Sequence, residues 1–317
     1  MKEVLAVLDQ VHLNYNEDAS QILNIIIAFI MFGVALDIKP EHFRDVLMKP
    51  KSVVLGVFSQ FLVLPFTTFV FVVILNPTPT VALGMILIAA CPGGNISNFM
   101  SALAKANVAL SVSLTAVATI AATFMTPLNF IIWGKLYMDY FNKTESGELL
   151  PQLAIDFGHT AQTVLILLGI PVALGLLCSI YLPDLTNKIK KPIRKISIYI
   201  FISFVIILLA ANFKNFMQYI NLIFIIVLIH NFIALGSGFT VATLFKLPDI
   251  DRRTLTIETG IQNSALALAL IFNDKIFDPN LALGGMAFIA AWWGVWHIIS
   301  GLSIATLWSK KRILQAI

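Results

Sequence analysis

The stretch from Ile257 to Ala267 reads Ile-Glu-Thr-Gly-Ile-Gln-Asn-Ser-Ala-Leu-Ala, so a carboxylate, a glycine and two amides interrupt an otherwise apolar run. A second apolar run is interrupted in the same way by Cys91-Pro-Gly-Gly-Asn-Ile-Ser-Asn98. Helix breakers followed by small oxygen-bearing side chains are tolerated at bilayer depth only where the freed backbone is buried in protein or lines a cavity. An ionised carboxylate there costs roughly 3 kcal/mol or more. Glu258 therefore needs a proton, a basic partner or a bound cation.

The apolar runs are membrane segments because of their number. Of 317 residues, 58% are hydrophobic and 12% charged, with 24 Phe, which describes an integral membrane protein. A spanning helix needs roughly 20 apolar residues, and nine stretches qualify: about 20–37, 52–75, 80–104, 107–134, 153–182, 196–211, 220–245, 254–272 and 281–307. The expected fold is an all-α polytopic membrane protein, with residues 1–317 forming one transporter domain. Both cysteines, Cys91 and Cys178, lie in apolar runs, which argues against a disulfide framework or a zinc site. Residues 1–20 carry Glu3, Asp9, Glu17 and Asp18 and lack the pattern of a removable signal peptide.

Charge then orients the chain. With strict alternation from an outside N-terminus, only Lys2, Lys135, Lys143, Lys214 and Lys275 of the 21 basic residues fall outside. The bias predicts N-out, C-in topology. The net charge of +4 is thus a topology signal, and no nucleic-acid binding is read from it. Lys39 to Lys51, with His42, Phe43, Val46 and Leu47 between two prolines, reads as an amphipathic linker on the inner surface. Lys188 to Lys195 reads as an inner topology signal or an anionic-lipid contact.

On this topology the two broken stretches lie in the third and eighth spans, antiparallel and five helices apart. That spacing is what an inverted repeat gives, and paired interrupted spans point to a transporter's binding site. No Lys or Arg lies inside any predicted span, so a proton or a cation must neutralise Glu258. Unwound carbonyls with the side-chain oxygens of Ser97, Asn98, Gln262 and Asn263 form a hard-oxygen environment suited to Na⁺. The half-helix beginning near Gly94 points its amide dipole into the same space, which favours an anion beside the cation.

Cys91-Pro-Gly-Gly-Asn-Ile-Ser-Asn98 and Glu258-Thr-Gly-Ile-Gln-Asn263 resemble the two signatures of the bile acid:sodium symporter family. The likeness continues in Asn107-Val-Ala-Leu-Ser-Val-Ser-Leu-Thr115, in Gln60 and in His230-Asn231. It implies a core domain in which the two broken helices, about 80–104 and 254–272, cross. The panel domain would include about 20–37, 153–182 and 196–211. It further implies uptake of an organic anion with two Na⁺ across the cell membrane. By motif, one sodium site would use Ser97, Asn98, Ser111, Thr115 and Glu258. The other would use Gln60, Gln262, Glu258 and the carbonyls of Thr259 and Ile261. The substrate would meet Asn95, Gly94, Asn263 and His297. Where many members have His-Asn in the last helix this chain has His297-Ile298, so an amide often placed at the substrate is absent.

Plainer readings stand beside these. Glu258 as a protonated structural carboxyl, Ser97, Asn98, Ser111 and Thr115 as interhelical hydrogen bonds, Gln60 as a partner for a carbonyl freed by Pro65, and His230, Asn231 and His297 as packing residues are all chemically reasonable. A proton-coupled carrier of the same fold is the alternative function. No nucleophile–base pair or His-Glu-x-x-His arrangement suggests an enzyme, and no obligatory protein partner is evident.

Overall fold

The computed structural model describes residues 5–10, 17–39, 41, 50–144, 157–211, 213–273, 276–277 and 281–310, and these residues are helical apart from short connections. The helices are α1 (Glu17–Ala35), α2 (Pro50–Leu75), α3 (Pro79–Ala90), α4 (Ile96–Leu103), α5 (Val108–Thr144) and α6 (Phe157–Tyr181). They continue as α7 (Pro183–Ala211), α8 (Phe213–Leu244), α9 (Asp249–Gly260), α10 (Ser264–Ile271) and α11 (Gly284–Lys310). Segments within α2, α5, α6, α8 and α11 are each long and apolar enough to cross a membrane. Large apolar side chains such as Ile74, Phe232 and Leu244 stand more than two-thirds exposed, as lipid-facing residues do.

Local chemistry sets the helix ends. Pro50, Pro79 and Pro183 open α2, α3 and α7, where a missing N–H costs nothing. Lys105 and Lys246 take positive φ of 52° and 55°. Around them Ala106 N–H donates to Ser101 O and Leu247 N–H to Ala242 O, both at 2.9 Å. Each is the six-to-one bond of a Schellman turn. Two matching turns thus return the chain into α5 and α9, the two helices that bear Ser111, Thr115 and Glu258.

The interrupted spans are matched in length. α3 and α9 have 12 residues each and α4 and α10 have 8 each. At 1.5 Å per residue neither piece alone reaches across a hydrocarbon core of about 30 Å, whereas each pair does. All twelve residues of α3 are buried, and with α10 and one face of α11 they form the main apolar core. α8 packs closely on α9, because a Cβ at Gly238 would lie 2.9 Å from Thr256 Cα. Elsewhere α1 packs on α6 and α7, and α6 also packs on α5.

Several expected boundaries shift. α7 begins at Pro183, so Lys188 to Lys195 lie on helix rather than in a loop. Lys and Arg are good helix formers, and Pro192 is accommodated within the helix. α5 runs on to Thr144, which makes Lys135 and Lys143 helical. α9 starts at Asp249, one turn before the predicted span. The linker residues 42–49 and the loop residues 145–152 lie outside the described residues.

Candidate functional site

The two breaks meet. Unwound residues Cys91–Asn95 and Ile261–Asn263 lie side by side, with Gly93 and Gln262 forming an isolated antiparallel bridge. Gly94 N–H donates to Ile261 O at 2.7 Å and Asn263 N–H to Pro92 O at 2.8 Å. Backbone groups that α3 and α9 cannot satisfy are therefore satisfied by the other broken helix. Such a crossing needs a residue without a side chain at its centre. A Cβ on Gly93 would come 3.0 Å from Glu258 Oε2, 3.1 Å from Gln60 Nε2 and 3.2 Å from Glu258 O.

Glu258 lies in the last turn of α9, beside this crossing, and is fully buried. Its Oε1 accepts from Ser97 Oγ at 2.7 Å, from Ser111 Oγ, and from Thr115 Oγ1 at 3.2 Å. Ser111 and Thr115 are four apart and share one face of α5. Asn98 Oδ1 lies 2.9 Å from Ser111 Oγ and 3.3 Å from Thr115 Oγ1, and Thr115 Oγ1 is 3.0 Å from Ser111 O. Each hydroxyl has one proton. Three protons cannot serve all these oxygen pairs, so oxygens face one another at hydrogen-bond distance with no proton between them. Such a set of oxygens could hold a cation, and among the described residues Glu258 enters no ion pair.

On the other side of Glu258, Gln60 occupies a π-helical segment, Ser59–Val63, within α2. Segments of this kind re-aim a side chain and recur at functional sites. Gln60 is fully buried, its amide nitrogen is turned to the Glu258 carboxylate and its Oε1 has no hydrogen-bond partner, so it does not serve a carbonyl freed by Pro65. Gln262 donates to Thr259 O at 2.8 Å while its own Oε1 is buried without a partner. Two orphaned amide oxygens flanking one carboxylate are what a second cation would satisfy. Of the two carbonyls in the expected set, Ile261 O already accepts from Gly94 and Thr259 O from Gln262, which leaves each a second lone pair.

The expected substrate residues divide. Asn95 precedes α4 without capping it and, with Asn98, Thr115, Thr119 and Asp37, lines an open crevice of about 50 Å³. Gly94 lies in the crossing, bonded to Ile261 O. Asn263 instead caps α10, its Oδ1 accepting from Leu266 N–H at 3.0 Å. His297 is buried on α11, between Gly294, which lies against Ser264, and Gly301, which lies against Met100 and Ile261.

Three further contacts support the site; sequence reasoning missed Ser59 and Asp251 and took Asn231 for a packing residue. Asn231 of α8 donates to Gly260 O at 2.8 Å and accepts from Ser300 of α11 at 2.6 Å. Ser59 and Thr259 hydroxyls pair at 2.9 Å. Asp251, a second buried carboxylate, joins α2 to α5. His230 pairs with Thr68 at 2.8 Å and packs edge-on against Trp293, the packing role considered for it. The signal available for Asn231 was an amide in the middle of an apolar helix.

A multi-pass helical protein whose two broken helices cross beside a buried carboxylate has the architecture of a secondary transporter. The chain belongs to the Sodium Bile acid symporter family, whose profile matches residues 24–219. It is 32% identical over 292 residues, 92% of this chain and 84% of the relative, to the Bacillus subtilis protein named uncharacterized sodium-dependent transporter YocS. It is 28% identical to the rice protein named probable sodium/metabolite cotransporter BASS2, chloroplastic, over 84% of this chain and 62% of that one. Mouse P3 protein is 30% identical over 76% of this chain, which spans about half of its length (48%). The protein is a multi-pass membrane transporter of a sodium-dependent family, not an enzyme.

Proposed function

We propose that this protein is a symporter that imports a small organic anion on the energy of two Na⁺ ions bound at either side of Glu258. One ion takes Ser97, Asn98, Ser111, Thr115 and Glu258. The other takes Gln60, Gln262, Glu258 and the free lone pairs of the Thr259 and Ile261 carbonyls. The carrying observation is the buried Glu258 carboxylate, ringed by oxygens that outnumber their protons, with the Oε1 atoms of Gln60 and Gln262 buried without partners. The anion is bound in the crevice at Asn95 and the uncapped start of α4, where the helix dipole adds to the field of the adjacent ion.

Sodium sets both broken helices through ligands on α2, α4, α5 and α9, so the anion site is complete only when Na⁺ is present. Each broken helix with its partner piece counts as one span, giving nine, N-out and C-in. The twelve-plus-eight match of the two breaks supports an inverted repeat. Helices α1, α6 and α7, which pack together, form the panel against which the core moves.

The test is thermal stability of the purified protein across a Na⁺ titration, with K⁺ holding ionic strength, in wild type and Glu258→Ala. A ligand that binds only the folded state stabilises it by RT ln(1 + [L]/Kd). A Na⁺-specific rise in wild type that is absent in Glu258→Ala is expected. No Na⁺-specific rise would refute the sodium assignment and turn attention to protons as the coupling ion.

A further inference from the structure

α5 and α9 run parallel from the two Schellman turns, and their register decides whether the Ser111 and Thr115 hydroxyls meet Glu258. A slip of one turn moves a side chain by about 5.4 Å, which would carry Ser111 out of reach of the carboxylate. The Ser111 and Thr115 hydroxyls can contribute to that register, and a second contact fixes it independently of the carboxylate. The fixing contact lies where the two helices begin.

Asn107 is the residue before α5. Its Oδ1 accepts from Leu110 N–H at 3.1 Å, which caps the helix. Its Nδ2 donates to Asp251 Oδ1 at 2.7 Å. Its backbone N–H lies 3.0 Å from Thr254 Oγ1, and Thr254 Oγ1 lies 3.1 Å from the Asn107 carbonyl. Asp251 Oδ2 accepts in turn from Ser52 Oγ of α2 at 2.7 Å. Asp251 is 2% exposed. The neighbouring cations are engaged elsewhere: Arg252 and Arg253 pair with Asp249 at 2.6 and 2.8 Å, and Arg253 also donates to the carbonyls of Ala104 and Trp308.

Periodicity connects this clasp to the site. Asp251 and Glu258 are seven apart on α9, two turns along one face, and Asn107, Ser111 and Thr115 follow at four-residue intervals on α5. Ser52 precedes Gln60 on α2 by eight residues, so the same carboxylate ties down all three helices that present ligands beside Glu258 on the α2 and α5 sides. Both amide atoms of Asn107 are committed, one to the cap and one to Asp251. It cannot turn over without losing one of them.

We infer that Asp251 and Asn107 are positioning residues for the sodium sites: they clamp α5, α9 and α2 in the register that brings Ser111 and Thr115 onto Glu258. The inference rests on the sodium reading above. Asp251 touches no ion and acts through the helices it joins.

The experiment is the same Na⁺ titration of thermal stability, with transport measured in parallel, on wild type, Asn107→Ser, Asp251→Ala and Asp251→Asn. Serine keeps the α5 cap but is too short to reach Asp251. Asparagine at 251 can still accept from Asn107 and donate to Ser52, whose hydroxyl serves either way. Asn107→Ser and Asp251→Ala are expected to raise the Na⁺ midpoint about tenfold, and Asp251→Asn to stay within about twofold of wild type. If Asp251→Ala does not fold, Asn107→Ser carries the test. A purely structural role would lower the melting temperature equally with and without Na⁺. Wild-type midpoints in Asn107→Ser would overturn this inference alone, and so would an Asp251→Asn midpoint as weak as that of Asp251→Ala. No Na⁺ response in wild type overturns both readings together.

Discussion

Ser97 Oγ donates to Glu258 Oε1 at 2.7 Å across 161 residues of chain. The donor belongs to the half-helix that follows the first break and the acceptor to the half-helix that precedes the second. One hydrogen bond therefore reports whether the two broken helices are set against each other. In the proposed sodium-bound state the hydroxyls would turn their protons away and the same oxygens would be ligands, which would make the geometry of the crossing dependent on the ion.

Ser97→Ala should weaken Na⁺ binding by about ten- to a hundredfold, since an interaction with a charged partner contributes about 1.5–3 kcal/mol. The substitution removes one oxygen and leaves the small buried volume almost unchanged. Sodium-dependence of uptake, measured at saturating substrate, checks it. An unchanged Na⁺ midpoint would remove Ser97 from the ligand set.

Gly93→Ala should abolish coupled uptake. The added methyl would press on Glu258 Oε2, Gln60 Nε2 and Glu258 O at 3.0–3.2 Å, in the space where the carboxylate and the amide face each other. Backbone lies on one side of that space, so relief by side-chain motion alone is blocked. The protein is expected to reach the membrane in normal amount, because the perturbation is confined to the crossing. Expression together with Na⁺-driven uptake in vesicles separates loss of function from loss of folding.

Gln60→Met gives the sharpest separation of roles. Gln60 buries its amide Oε1 without a partner, which costs stability in the absence of an ion. Methionine has a similar shape and no such cost, so the sodium-free melting temperature should rise. If Gln60 is a ligand of the second ion, the Hill coefficient for Na⁺ should fall at the same time from about 2 toward about 1. A residue serving only to pack would show the first effect without the second.

Much of the site is legible in the sequence because its signals are local violations. Pro92, Gly93 and Gly94 cannot continue a helix, and Glu258 has no basic residue within its run. Ser111 and Thr115 announce a shared face by their spacing. What stays hidden is pairing between distant residues. Asp251 sits outside the apolar run among Asp249, Arg252 and Arg253, so it reads as a solvated charge. Only its contacts with Ser52 and Asn107 show otherwise. The π-helical turn that aims Gln60 has no sequence signature, and the long extension of α5 past Pro127 depends on packing rather than on composition. Asn263 and Asn95 look equivalent in sequence, yet one caps a helix and the other lines the crevice.

Stoichiometry makes the last prediction. Two Na⁺ moving with one monovalent anion carry one net positive charge inward, worth roughly 2.3 kcal/mol per 100 mV. At about 1.4 kcal/mol per tenfold, that potential alone supports accumulation of roughly fiftyfold. Uptake into vesicles should therefore accelerate when a K⁺ diffusion potential makes the interior negative, and should carry a measurable inward current. Gln60→Met, having lost one ion, should transport the same anion with the potential dependence abolished. Electroneutral uptake by wild type would refute the two-to-one coupling, and the paired sites around Glu258 would then have to be reduced to one.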